Sequence, residues 1–426
     1  MSTVIVIGSG TAGTMVANKL RRRLPLSQWR VVVLDKTLDH VYQPGQLFVP
    51  FGRYRAQQLV RPRRRFLAAG VEFFQGEVDL VRPDERQVVL TSGDVLAYDN
   101  LVIATGATPR PDLTPGMAEA MRDGAAGDVH EFYTLDGARR LAERLRGWAG
   151  GRLVVHVAEM PIKCPVAPLE FTFLAEAFMA EKGIRDRVEL TYVTPLEGAF
   201  TKPVASRRLG RLLEERGIAL EPDFMVESID GQAHQLRSFD ERVIDYDLLV
   251  TVPVNTGADF VQRSGLGDEL NFVPVDRGTL LCTAYESIFA IGDASNIPAS
   301  KAGSVAHFSV DLFADNFIEH VAGRPMTELF DGHANCFVET GRGKGLLIDF
   351  NYDTEPLPGS YPLPVIGPFR LLVESRVNHW GKLAFRWLYW HVLLPGRRLP
   401  LPDRMSMLGK HTESSQTKPR TPERTH

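Results

Sequence analysis

The chain has 426 residues, enough for two or three domains with a sizeable core. With 44% hydrophobic and 24% charged residues and a net charge of −3, it has the composition of an ordinary globular protein and no whole-chain field to hold nucleic acid. Its three cysteines, Cys164, Cys282 and Cys336, are too few for a secreted disulfide scaffold and wrongly spaced for a metal site, which leaves a redox or nucleophilic pair open. The opening stretch MSTVIVIGSGTAG enters a strand at once, and the first basic cluster, Arg21–Arg23, follows it, the reverse of an export signal. No run of about 20 uncharged apolar residues occurs, so no membrane-spanning helix is expected.

Val4–Ile7 reads as a buried parallel strand, Gly8, Gly10 and Gly13 as a G-x-G-x-x-G turn, and Val16, Leu20 and Leu24 as one face of the next helix. The second strand, WRVVVLDK, ends in Asp35, about 20 residues past the last glycine. This is a dinucleotide fingerprint. The glycines allow a tight turn close to a pyrophosphate, the helix N-terminus offers free N–H groups, and the carboxylate suits ribose hydroxyls. Further on, YDNLVIATG ends in Ala104-Thr105-Gly106, and YESIFAIGDAS carries Gly292-Asp293 at the end of another strand. These three motifs, in this order, resemble the flavoproteins with two dinucleotide-binding domains, the glutathione-reductase-like fold. The resemblance implies an α/β chain with FAD in its first domain. Thr105 and Gly106 would close that domain, Asp293 would bond the ribityl chain, and Lys301 would lie near the flavin O2 edge.

Between these motifs lies a second α/β unit. Its strand GRLVVHVAEM runs into MPIKCPVAPLEF, where a nicotinamide site would place a second glycine loop. Pro161 and Pro165 remove backbone donors there, so the electron donor is not expected to be a nicotinamide. Cys164 precedes a helix with apolar residues at 3.6 spacing, and Lys163 stands beside it. Both features favour a thiolate. Cys282 reads as a small buried apolar residue. Cys336 sits in HANCFVETGRGKGLLIDFNY, which alternates like a hairpin.

PIKCPVAPLEF with the later HANCFVETGRGKG resembles the sulfide:quinone oxidoreductases, over nearly the whole chain, and the Lys-Cys-x-x-Ala-Pro segment is the most specific part. The resemblance implies a redox-active disulfide between Cys164 and Cys336 beside the flavin, with hydrogen sulfide as the electron donor. The acceptor would be a quinone, ubiquinone or menaquinone. It gives Glu170 a proton-transfer role and Lys344 a place near the quinone head group. Many bacterial members carry a further cysteine where this chain reads DVHEFYTLDG, so FAD is expected to be non-covalent.

Towards the C-terminus, Trp380, Leu383, Trp387, Trp390 and Leu394 share a face of one helix, with Lys382 and Arg386 opposite. Eight Lys and Arg stand against two acids between 369 and 410. This composition suits an in-plane helix on a lipid bilayer surface, giving a peripheral, monotopic protein of the inner membrane, with the membrane side undetermined. The arginine run RYRAQQLVRPRRR reads as a solvated face. The expected layout is an FAD-binding domain in two parts, 1–112 and 243–330, around a degenerate second Rossmann-like domain, 113–242. A C-terminal quinone and membrane region, 331–410, and a disordered tail, 411–426, follow. Two enzymes compete with this reading. The flavin subunit of a flavocytochrome that oxidises sulfide would need an export signal, and a type II NADH:quinone oxidoreductase would need glycines after residue 158. A flavin-dependent sulfide sensor would need no membrane face. A homo-oligomer is left open.

Overall fold

A computed structural model describes residues 1–364, 366–399 and 402–411. All of the expected disordered tail except His411 lies outside them. The apolar runs of the first part form a parallel sheet in the order Ile288–Ala290, Asn100–Ile103, Ser2–Ile7, Trp29–Asp35, Val71–Gln75. Val4–Ile7, Val31–Leu34 and Leu101–Ile103 are buried, as strands covered on both faces must be. The helices Thr11–Arg23 and Gly303–Val321 pack against each other, joined by a buried Lys19–Asp311 ion pair. The strand Ile288–Ala290 therefore completes the sheet that the N-terminus began.

The second unit is another parallel sheet, in the order Val129–His130, Leu248–Val252, Gly151–Val157, Val188–Val193, Ala219–Glu221. The boundary expected at 242 is too early. It falls within the last strand pair of an antiparallel meander, and the fully buried strand Leu248–Val252 that follows belongs to the second sheet.

The third region begins with the hairpin Ala334–Gly341 and Lys344–Phe350, extended by Phe369–Leu371 and Gly359–Tyr361. It packs on the helix Ala167–Glu181. That helix was expected to bury one face. With the second sheet on one side and the hairpin on the other, it buries nearly all of its residues, Glu170, Thr172 and Glu176 included.

The C-terminal helix Arg376–Leu388 continues into a π turn, Tyr389–Leu393. The wider turn breaks the expected face. Trp380 and Trp387 are 65% and 64% exposed, whereas Trp390 is 2% exposed and stacks on Phe66. Val377, Trp380 and Trp387 form an exposed stripe at helical spacing. Lys382, expected on the polar outer face, points inward. The arginine run is not uniformly solvated either. Arg63 pairs with Asp35 at 3.4 Å, and Arg61 lies over the Trp390 ring. Among the described residues no helix is long and apolar enough to cross a membrane.

Candidate active site

The glycine turn is built by close backbone approach. Gly8 has φ +93°, and a Cβ there would lie 2.6 Å from the Ala104 carbonyl oxygen. A Cβ on Gly13 would lie 1.8 Å from the Gly8 oxygen, so any side chain would push the turn from the helix. Asp35 clamps this turn. Its carboxylate accepts from the Ser9 N–H (2.7 Å), the Ser9 hydroxyl (2.9 Å), the Thr37 N–H (2.9 Å) and the Thr37 hydroxyl (3.1 Å). A ribose hydroxyl at Asp35 would share the carboxylate with these donors.

A cleft runs from Asp35 and Lys36 past Thr105 to Gly10, Thr11, Gly292 and Asp293. Thr105 lies where its two parts meet, and among the described residues its buried hydroxyl has no partner. Burial lifts the Asp293 carboxyl, and Lys301 and Lys163 oppose that rise. Lys301 donates to the carbonyls of Asp293 (3.0 Å) and Ser295 (2.9 Å), and burial lowers its ammonium to about 8. A glycine turn without room for a Cβ, an orphaned hydroxyl and a carboxylate facing two lysines fit an extended phosphate-bearing cofactor such as FAD.

Cys164 lines the same cavity. Its position is set from the other side of the site. The Cys164 N–H donates to the Lys301 carbonyl (2.5 Å), and the Cys164 carbonyl accepts from the Ala167 N–H (2.8 Å) and the Tyr133 hydroxyl (3.2 Å). The cysteine is thus stitched to the segment after Gly292-Asp293, in a left-handed backbone conformation with φ +52°. Cys336 lies on the hairpin opposite Ile348, close enough that its charge would raise the Cys164 thiol, and both thiols are free. Burial, then Glu170, raises the Cys164 thiol to about 12, against a pull from Lys382. Burial raises Cys336 to about 11, against Lys382 and a hydrogen bond with Ser304. Desolvation works against the Cys164 thiolate that the helix and Lys163 were expected to favour.

Beneath the thiols, Glu170 is fully buried. Its Oε1 accepts from Lys382 Nζ (2.7 Å) and the Glu339 N–H (2.7 Å), while Oε2 is buried without a partner among the described residues. Burial raises its carboxyl, and Lys382 opposes the rise. Burial works against the Lys382 ammonium, yet Glu170 and Cys164 hold it up at about 12. The lysine expected near the acceptor, Lys344, is exposed at the start of its strand and does not line the cavity. The hairpin turn carries it outward, and Lys382 occupies the cavity instead. Cys282 is buried and lies off the cavity; Cys336 is not on its lining either, but stands close enough to Lys382 and Glu170 to feel their charges.

Several site residues lay beyond the sequence reading. Glu339 is buried, and both its oxygens lie 2.9 Å from His379 Nδ1. Tyr389 lines the cavity, and its hydroxyl meets Thr11 Oγ1 (2.8 Å) and His40 Nε2 (2.7 Å). Burial, with Arg63, lowers His40 to about 4, so that ring is neutral. Asn378, Lys382, Phe385 and Tyr389 recur at helical spacing, and that spacing was the one signal available in sequence.

Residues 2–161 match the family model described as pyridine nucleotide-disulphide oxidoreductase. The match ends just before Cys164. The chain is 25% identical over 406 residues to a mitochondrial sulfide:quinone oxidoreductase of Dictyostelium discoideum, covering 93% of this chain and 87% of that protein. It is 26% identical over 409 residues to the mouse protein of the same description, covering 92% and 86%. This chain is a homologue of the sulfide:quinone oxidoreductases, and it is an oxidoreductase. The crystal structure of sulfide:quinone oxidoreductase from Aquifex aeolicus superposes with a TM-score of 0.76 at 20% identity, covering 93% of this chain and 92% of that one. That likeness carries the fold: two Rossmann-like sheets followed by a C-terminal region.

Proposed function

We propose that this chain oxidises sulfide through the Cys164–Cys336 pair and passes the electrons, by way of non-covalently bound FAD, to a quinone drawn from a membrane surface. One observation carries the reading. Cys164, with Glu170 and Lys382 behind it, lines the same cavity as Gly10, Gly292 and Asp293. A thiol at the end of a dinucleotide cleft, where a second glycine loop is missing, suits sulfur chemistry better than nicotinamide chemistry.

The Gly8–Gly13 turn, Asp35, Thr105, Gly106, Gly292, Asp293 and Lys301 would hold FAD, which supplies a two-electron acceptor towards the thiols and a two-electron donor towards the quinone. With the pair oxidised, hydrosulfide attacks one sulfur of the disulfide. One cysteine becomes a persulfide, the S–S bond breaks, and the other cysteine leaves as a thiolate. Lys382 stabilises that thiolate, as its pull on both thiols indicates. A second sulfide or a growing polysulfide takes the outer sulfur. Glu170 is placed to exchange the proton.

Lys382, Phe385 and Tyr389 line the cavity from the C-terminal helix, which supports a quinone on that side. The role first given to Lys344 passes to Lys382, whose ammonium would stabilise the quinol oxyanion. The exposed Val377, Trp380 and Trp387 stripe on the same helix supports peripheral attachment to a bilayer, where a lipid-soluble acceptor resides. The test is anaerobic stopped-flow absorbance of the flavin-loaded protein. Sulfide is expected to bleach the flavin band through a long-wavelength charge-transfer phase, and NADH to leave it unchanged. Bleaching by NADH alone would overturn the reading.

A further inference from the structure

Sulfide oxidation by quinone draws a proton from water. Starting from hydrosulfide, HS⁻ + Q + H⁺ gives zero-valent sulfur and QH₂, with two electrons moved from sulfur to quinone. The acid at the cavity, Glu170, has no surface of its own. Lys382 bonds it, lines the cavity that FAD and a quinone would fill, and keeps 14% of its side-chain surface; among the described residues the remaining oxygen of Glu170 has no partner. A proton therefore needs a route through the protein.

The third region contains one. Glu339 is buried on the hairpin strand, and its N–H bonds the same Glu170 oxygen that holds Lys382. Its carboxylate holds His379 Nδ1 through both oxygens at 2.9 Å. The His379 side chain keeps 10% of its surface, which leaves Nε2 as the nitrogen that water reaches. His379 and Lys382 are three residues apart on one helix, so both rise from the same face over Glu339. The charged groups that bear on Glu339 are His379, Lys382 and Arg53, with Glu170 beneath. Holding a hairpin to a helix requires no titratable pair. A nearly buried imidazole that keeps a little surface, bonded to a buried acid beside the lysine of the site, is suited to such a route.

We infer that Glu339 and His379 relay protons from water to the Glu170–Lys382 pair. His379 takes a proton at Nε2 and gives its Nδ1 proton to Glu339. Glu339 then returns a proton through water to Lys382 after Lys382 has given one to the quinone oxygen. No electrons move in these hops. The inference rests on the quinone half of the proposed function and is independent of the sulfide half.

The test therefore starts from flavin-loaded protein reduced with stoichiometric dithionite and mixed anaerobically with a short-chain quinone. Flavin absorbance and proton uptake by a pH-indicator dye are followed together between about pH 6 and 9. His379→Asn keeps a donor towards Glu339 without a titrating ring, and Glu339→Gln keeps the shape of the acid. Both are expected to slow reoxidation and proton uptake by about tenfold or more, with the deficit growing as pH rises. Added imidazole should restore part of the rate to His379→Ala. Sulfide-driven bleaching should stay within about twofold of the parent. Reoxidation at the parental rate and pH profile in both variants would overturn the relay. Equal loss of bleaching and reoxidation would also overturn it, because that marks a purely structural pair. Should His379→Asn lose FAD, Glu339→Gln decides alone. If quinone fails to reoxidise the parent protein, the quinone reading falls and takes the relay with it.

Discussion

Cys164 and Cys336 are held as neutral thiols. Burial sets their titration near 12 and 11, and Lys382 tempers the rise without reversing it. A neutral thiol is a poor nucleophile, but in the proposed chemistry hydrosulfide brings the nucleophile and the cysteines receive the attack. The neutral state therefore protects the reduced pair from stray electrophiles. At neutral pH a thiol raised from 9.0 to about 12 carries roughly a thousandfold less thiolate than a free one. Iodoacetamide should accordingly label the reduced native protein far more slowly than the unfolded chain. The sign of the pH dependence follows. Above about pH 9 the unfolded thiols lose protons that the folded ones keep, so the reduced protein should lose stability as pH rises from about 9 to about 12. Replacing both cysteines should flatten that slope in urea titrations. Cys164→Ala or Cys336→Ala should abolish sulfide-driven bleaching with FAD retained, and Cys282→Ala, in the hydrophobic core, should be nearly silent. Equal activity in all three would refute the pair.

At the scale of elements, the C-terminal helix decides the site. Its Lys382 reaches a carboxylate 212 positions earlier in the chain. Removing one partner of a buried ion pair costs about 3–5 kcal/mol unless the survivor changes protonation. Lys382→Met should therefore lower stability by an amount of that order, or leave Glu170 protonated, and in both cases slow electron transfer to quinone. Lys344→Ala, at an exposed strand end, should change stability by no more than about 0.5 kcal/mol and leave turnover intact. Thermal unfolding and quinone-reductase assays on the two variants separate these cases. The contrast also marks how far the sequence could be read. The glycine turn, the strands leading to Thr105 and Asp293, the cysteine after Gly151–Val157 and the hairpin are all local patterns, and each is legible in consecutive residues. Lys382 was not. An amphipathic reading sends a lysine to water, and only the hairpin packed on Ala167–Glu181 places an acid beneath it. The phase of Trp390 was lost for a related reason, since a π turn leaves no mark on helical spacing. The second sheet was cut at 242 because Leu248–Val252 resembles any buried strand and pairing alone assigns it.

For the molecule as a whole, these placements give the site two faces. The FAD cleft runs along the ends of the first sheet, while Lys382, Phe385 and Tyr389 close the cavity from the helix that exposes Trp380 and Trp387. Beside that helix, Arg386 lies over Tyr54 and Arg61 over Trp390, with Arg53, Arg55, Arg64 and Arg65 on the same stretch of chain. Among the described residues none of these six has a carboxylate within 4.0 Å, whereas Arg63 has Asp35. Arg61 carries the strain of this crowding, being lowered by burial and by Arg65 and Arg386. Unpaired arginines next to exposed indoles suit anionic headgroups, at about 1 kcal/mol for each charge at the surface. Co-sedimentation with vesicles should therefore be stronger for those containing phosphatidylglycerol than for neutral phosphatidylcholine, and should weaken with salt. Trp380→Ser with Trp387→Ser should release the protein from neutral vesicles and weaken its binding to anionic ones. Arg61→Ala with Arg65→Ala should reduce only the preference for anionic lipid. Turnover of the two double variants with a water-soluble short-chain quinone should match the parent, because none of the four residues lines the cavity. If the tryptophan variant stays bound to neutral vesicles, the exposed stripe is not the membrane face, and the quinone must enter from another side of the cavity.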